Sequence, residues 1–164
     1  MSQQTLSLTT RWTRALPVAL VAGLIIAIDQ VSKFMVRGNF YLGESKLASW
    51  PARLTYVENT GSAFGLFAGQ TVFLIIASIF AIGIVVYLFR RAGQTSVLLR
   101  VCLGMMLGGG VSNMADRIRL GTVTDFIDLR VWPIFNLADS SVVVGIALLA
   151  FIILWWDKRG AAAL

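Results

Sequence analysis

Asp125 and Asp139 are the residues whose type and setting most readily do chemistry in this chain. Asp125 sits in Val123-Thr124-Asp125-Phe126-Ile127, an apolar-flanked segment able to return a carboxylate to a membrane surface. Asp139 falls in the first turn of the last apolar segment, where a helix N-terminus favours negative charge. If the two meet, like charges a few Å apart resist joint ionisation and the pair holds one proton. A base that activates water beside an acid that polarises a carbonyl is the equipment of aspartic proteolysis. If they do not meet, they are unrelated surface aspartates, and spacing alone leaves both readings open. Asp128 precedes Leu129-Arg130 and reads as a solvated or Arg-paired carboxylate outside any such pair.

The remaining polar groups are sparse. The chain has no His and one Cys, which leaves no Ser-His-Asp or Cys-His catalysis, no internal disulfide and no Cys/His metal site. Asp29 and Lys33 are four apart, share a helix face and read as a neutralised pair orienting the first helix. Ser32 and Lys33 point about 100° apart on a helix, poor geometry for a nucleophilic dyad. Asn113 and Asp116, three apart, follow a run of small residues: Gly104, Gly108, Gly109, Gly110 and Ser112. Such a run lets backbones approach closely and would press the two polar residues against a neighbouring helix, for structure or for substrate. Cys102, in an apolar run, reads as an inert buried thiol.

These residues need a frame, and the frame is a membrane. Of 164 residues 57% are hydrophobic and 13% charged, against about 25% charged in soluble domains. The length predicts one domain. Residues 1–14 read as a polar tail, and apolar segments predict membrane-spanning helices over about 16–36, 71–89, 97–116 and 136–156. The run from Leu16 continues through Asp29 to Val36 without a small-x-small cleavage site, so it reads as a retained span rather than a removed signal. Residues 37–68 alternate in pieces such as Leu54-Thr55-Tyr56-Val57 and predict short strands in a small sheet on the membrane surface. Residues 118–135 read as a second exposed loop. The fold class is therefore an all-α integral membrane protein of four spans with a small sheet.

Four spans put both termini on one side. Cations divide seven and seven between the sides, but Arg11, Arg14, Arg90, Arg91, Arg100, Lys158 and Arg159 crowd short flanks, which carry the orienting signal. Both termini are accordingly expected in the cytoplasm. The net charge of +6 lies at segment ends without a basic stripe, so no nucleic-acid partner is expected. In this topology Asp29, Lys33, Asn59, Asn113, Asp116, Asn136 and Asp139 all fall at the outer ends of helices. A rival of another class, a small proton- or ion-coupled transporter, would want its acids near mid-membrane.

Four blocks, in order, resemble the lipoprotein signal peptidase (type II signal peptidase) family of bacteria. They are Asp29-Gln30-Val31-Ser32-Lys33; Asn59-Thr60-Gly61-Ser62-Ala63-Phe64-Gly65; Gly108 to Arg117 with Gly121-Thr122-Val123-Thr124-Asp125-Phe126-Ile127; and Phe135-Asn136-Leu137-Ala138-Asp139. The resemblance covers about residues 16–157, with one departure: Ser112-Asn113 stands where the family usually has Gly-Asn. It implies a four-helix membrane aspartic endopeptidase with an extracytoplasmic sheet cradle and a surface loop or helix. Such enzymes cleave diacylglyceryl-modified prolipoproteins just before the lipidated Cys. By the same match Asp125 and Asp139 would be the catalytic dyad, and Asn59, Asn113, Arg117 and Asn136 would line the site. Asp29, Lys33 and Asp116 would support it. The resemblance implies no metal or cofactor, binding of the cyclic peptide globomycin, contact with membrane lipid, and residence in the bacterial inner membrane. A monomer is expected, because four helices can enclose one site. Phe64, Phe67, Trp132 and Phe135 are candidate lid or interface aromatics.

Overall fold

A computed structural model describes residues 3–46, 52–61, 67, 69–91 and 96–161, with backbone alone at 3–14, 88–91 and 155–161. Among the described residues four helices appear: α1 (Gln3–Asn39), α2 (Thr71–Arg91), α3 (Val97–Leu120) and α4 (Leu137–Ala161). Three are long and apolar enough to cross a membrane over Ala15–Asn39, Val97–Leu120 and Leu137–Leu154, and Thr71–Tyr87 is a shorter apolar stretch within α2. At 1.5 Å per residue the 21 residues of α2 reach about 31 Å, close to a hydrocarbon core of about 30 Å. Large apolar side chains such as Leu20, Leu24, Phe34, Phe80 and Ile153 stand exposed around the bundle, as lipid-facing residues should.

Residues 3–14, expected as a polar tail, are helical and continue into α1, which runs 37 residues without a break at Pro17. Ser, Thr and Gln do not break a helix that an adjacent apolar span has already nucleated. The third helix also outlasts its apolar stretch, to Leu120, because Arg117 and Arg119 suit a helix C-terminus.

Small residues decide the helix packing. A Cβ at Gly104 would lie 2.9 Å from the Val18 carbonyl oxygen, and one at Gly108 would lie 2.8 Å from that of Ala22, so this face of α3 seats directly on α1. Gly109 faces the other way, its Cα against the Ala138 carbonyl and Ser141 of α4. Adjacent residues about 100° apart thus dock α3 between two partners, close enough for short polar side chains to bridge.

Three strands, β1 (Ser45–Lys46), β2 (Arg53–Asn59) and β3 (Val123–Asp128), form an antiparallel sheet in the order β1-β2-β3. The expected second loop therefore contains a strand. Gly121 makes this possible: at φ +78° it ends α3 in the left-handed region, its N–H returning to the Arg117 carbonyl, and the chain turns straight into β3. The β2–β3 register slips between Leu54 and Val57, a bulge of one extra residue in β2. On its other side β3 pairs with Phe135 through Ile127, the Phe135 carbonyl accepting from both Phe126 and Ile127 N–H. That bridge sets the residue after Phe135 beside Asp125. Val36, Tyr56 and Phe126 form the buried core where the sheet sits on the bundle.

Candidate active site

Alpha helix α1 brings Asp29 and Lys33 to the site, both fully buried. The Lys33 ammonium donates to Asp29 Oδ2 (2.8 Å), to Asp116 Oδ2 (3.0 Å) and to Asn113 Oδ1 (2.7 Å), which uses all three of its N–H bonds. The expected Asp29–Lys33 pair is thus a triad reaching into α3. Ser32 takes no part, since its hydroxyl donates to the Asp29 carbonyl on its own helix (2.7 Å).

The amide of Asn113 is oriented by what surrounds it. Its Oδ1 accepts from Lys33, so its Nδ2 points to Asp139 Oδ1 at 2.7 Å. Asn136, the residue after the Phe135 bridge, caps α4. Its Oδ1 accepts from Asp139 N–H (2.9 Å), while its own N–H donates to Asp139 Oδ2 (3.2 Å). This is a capping box built from Asn and Asp, and it pins Asp139 in the first turn. The Asn136 Nδ2 donates to Asp125 Oδ1 at 2.6 Å and also reaches Asn113 Oδ1 at 3.2 Å. Asn136 hydrogen-bonds to both aspartates.

Asp125 is buried in β3 and takes its second donor, Asn59 Nδ2, at 2.9 Å. Asn59 is aimed by a turn in which Gly61 N–H donates to its Oδ1 (2.9 Å), and Arg117 Nη2 holds that turn by donating to the Gly61 carbonyl (3.2 Å). Burial above all, then the negative charge of Asp139, pushes the Asp125 carboxyl up to about 7, against the hydrogen bonds from Asn59 and Asn136. Both carboxylates therefore face converging donors, and Asp125 also feels the charge of Asp139. Arg117 lies within electrostatic reach of Asp139, Asp125 and Asp116.

The structure brings together every residue the sequence nominated: Asp125, Asp139, Asn59, Asn113, Arg117, Asn136, Asp29, Lys33 and Asp116. They come from α1, β2, α3, β3 and the start of α4, at one end of the bundle. Asp128 stands apart as expected and is the Arg-paired of the two alternatives, buried against Arg53. Burial pushes its carboxyl up, but Arg53 Nε (2.5 Å), Arg130 N–H (2.7 Å) and Thr55 Oγ1 (3.1 Å) outweigh that and hold it below the usual range. Among the aromatics, the Phe67 ring lies tilted against that of Phe73, centroids 4.9 Å apart, and Trp132 is exposed, whereas Phe64 lies outside the described residues. Among the described residues no group of three or more His, Cys, Asp or Glu stands as metal ligands would.

Sequence reasoning passed over three contributors. Gln30 Nε2 donates to Asp116 Oδ1 at 2.9 Å, and Thr124 N–H donates to Asp116 Oδ2 at 3.3 Å while its hydroxyl accepts from Arg37 (2.9 Å). Ser112, read only as a small packing residue, donates its hydroxyl to Asp29 Oδ2 at 2.7 Å. The available signal was Gln30 itself, a fourth polar side chain beside Asp29, Ser32 and Lys33 in an otherwise apolar span. Among the described residues every buried side-chain N and O atom has a partner.

The chain is similar to known proteins in sequence and in fold. A family model described as signal peptidase (SPase) II matches residues 21–155. The lipoprotein signal peptidase of Moorella thermoacetica is 44% identical over 138 residues, 83% of this chain and 91% of the relative. That of Desulfitobacterium hafniense (strain DSM 10664 / DCB-2) is 39% identical over 142 residues, 85% of this chain and 94% of the relative. A solved bacterial membrane enzyme superposes with a TM-score of 0.82 at 29% identity, covering 87% of this chain and 90% of that one.

Proposed function

The chain belongs to the signal peptidase II family, and from that premise we propose that it is a membrane aspartic endopeptidase acting through Asp125 and Asp139. Its substrates are prolipoproteins, from which the family removes signal peptides. The cleaved bond is the one just before a Cys carrying diacylglycerol. The observation that carries this reading is the paired carboxylates, linked through Asn136, with Asp125 titrating near neutrality. A transporter finds no support in the family, and the acids gather at one end of the bundle.

The two aspartates differ in a way that assigns their roles. Asp139 sits at the N-terminus of α4, capped by Asn136 and facing an Asn113 amide polarised by Lys33, donors suited to an anion, and we assign it the role of base. Asp125 contacts amides alone and holds the shared proton at rest. Asp139 takes a proton from water as the water oxygen attacks the scissile carbonyl carbon. Asp125 gives its proton to the carbonyl oxygen, which leaves a neutral gem-diol. On collapse the C–N bond breaks, Asp139 passes its proton to the departing amine of the lipidated Cys, and Asp125 recovers the proton of the re-forming carbonyl. Preorganised amides stabilise the charge as it moves.

The lipid of the substrate explains the architecture. Acyl chains in the bilayer hold the scissile bond at the interface, so the dyad belongs at helix ends rather than mid-span, beneath a sheet. We place this end at the outer face of the bacterial inner membrane, with both termini cytoplasmic, Asn59 and Arg117 beside the peptide, and the enzyme active as a monomer that globomycin inhibits. The test compares purified enzyme on a prolipoprotein peptide with a diacylglyceryl Cys and on the same peptide with free Cys. Product masses should show cleavage before the Cys in the lipidated peptide and little in the other. Cleavage elsewhere, or equal cleavage of both, contradicts the proposal.

A further inference from the structure

We propose that Ser112 is a positioning residue for this reaction, its hydroxyl setting the orientation of Asp139 through Asp29, Lys33 and Asn113. The inference rests on the aspartic reading of the site. Ser112 lies on α3 beside Asn113, fully buried. Its hydroxyl donates to Asp29 Oδ2 at 2.7 Å and accepts from Gln30 Nε2 at 3.0 Å, so it holds one hydrogen-bonding direction on each side. Asp29 Oδ1 is taken by Ala138 N–H at 2.8 Å, which ties the same carboxylate to the first turn of α4.

The consequence follows from the balance around Lys33. Its three N–H bonds are divided among Asp29, Asp116 and Asn113. With the hydroxyl in place, Asp29 Oδ2 shares its negative charge between Ser112 and Lys33. Without it, that oxygen has Lys33 alone and draws the ammonium towards α1, away from Asn113. The Asn113 carbonyl then keeps only its longer contact with Asn136 (3.2 Å), and its amide is free to turn from Asp139. Ser112 touches neither aspartate of the dyad. It acts by fixing the groups that do.

The charged and titratable groups facing Asp139 are Lys33 and Asp29 on α1, Arg117 on α3 and Asp125 on β3, with Asp116 beside Lys33. A disturbance relayed by Lys33 therefore reaches the acid limb of turnover as well as its rate. The experiment measures kcat, KM and the pH profile of kcat for wild type, Ser112→Ala, Ser112→Gly and Ser112→Thr on a diacylglyceryl prolipoprotein peptide. Ser112→Ala should lower kcat by roughly 10-fold with KM within about twofold, and move the acid limb to higher pH. Ser112→Thr, which keeps the hydroxyl, should recover most of the rate. Ser112→Gly also removes the hydroxyl and serves if the alanine variant does not fold. Wild-type kcat and an unmoved acid limb in either hydroxyl-less variant, with only a lower melting temperature, overturn the inference. Asp139→Asn runs alongside: full turnover there would sink the dyad itself, whereas an inactive Asp139→Asn beside an unaffected Ser112→Ala would sink only the role of Ser112.

Discussion

Replacing Asn136 with Ala removes the residue that hydrogen-bonds to both aspartates, and its effect can be worked out atom by atom. Four side-chain hydrogen bonds go at once, and two touch the aspartates: the amide donor on Asp125 at 2.6 Å and the cap acceptor for Asp139 N–H at 2.9 Å, beside the weaker contacts with Asn113 (3.2 Å) and the Thr124 carbonyl (3.4 Å). The cap is worth about 1 kcal/mol of stability. The donor to a carboxylate is worth about 1.5–3 kcal/mol, and if fully felt in the transition state that is a loss of roughly 10- to 150-fold in kcat. The sharper prediction concerns pH. The Asn136 hydrogen bond pulls the Asp125 carboxyl down from where burial and Asp139 push it. Its removal must therefore raise that group above about 7, and the alkaline limb of kcat/KM, which reports the free enzyme, must move to higher pH. The assay is cleavage of a diacylglyceryl prolipoprotein peptide between about pH 5 and 9, with thermal melting to verify the fold. A limb that stays in place, or moves down, in a folded Asn136→Ala protein would refute the assignment of Asp125 as the proton carrier.

Three further outcomes follow from the geometry. Folded Asp125 binds its proton more tightly than the unfolded chain does, so between about pH 4 and 7 folding takes up a proton and this group's contribution to stability falls as pH rises; the melting temperature of wild type minus that of Asp125→Asn should decline over that window and level off above it, and a flat or rising difference would contradict the raised carboxyl. Lys33→Met leaves Asp29 and Asp116 buried without their cation, at a cost of about 3–5 kcal/mol, so folded yield in detergent should drop severely; a normal yield and melting point would mean the triad is dispensable. A Cβ at Gly109 would collide with the Ala138 carbonyl, whereas one at Gly110 would meet nothing closer than Ile82 at 3.5 Å. Gly109→Ala should therefore destabilise by at least about 1–3 kcal/mol while Gly110→Ala leaves melting nearly unchanged, and equal effects would mean that α3 does not seat on α4 as described.

The helices were legible because hydrocarbon length and apolar runs leave little freedom. Their ends were less so: α1 begins near Gln3 because helix once nucleated propagates through polar residues, and no composition rule marks that point. The strand at Arg53–Asn59 showed its alternation, but β3 did not, because both of its faces are covered and Val123 to Phe126 are all buried. A strand buried on both faces loses the period of two that betrays it. The proposed dyad was legible as two candidate aspartates in an apolar chain. The bridging role of Asn136 was hidden, because it depends on the Phe135–Ile127 pairing, a contact across a loop. The hydrogen bond of Ser112 was hidden for the same reason: small residues near GxxxG spacing announce packing, and only the closeness of α1 and α3 shows which hydroxyl finds a carboxylate.

The central claim is that one proton, shared by Asp125 and Asp139, drives cleavage of a lipidated prolipoprotein. Its most direct test is turnover of that substrate by Asp125→Asn and Asp139→Asn, each purified, folded by thermal melting and inserted in lipid. Each single variant should lose nearly all turnover while still binding the lipidated peptide. Wild-type turnover in either folded variant would contradict the account.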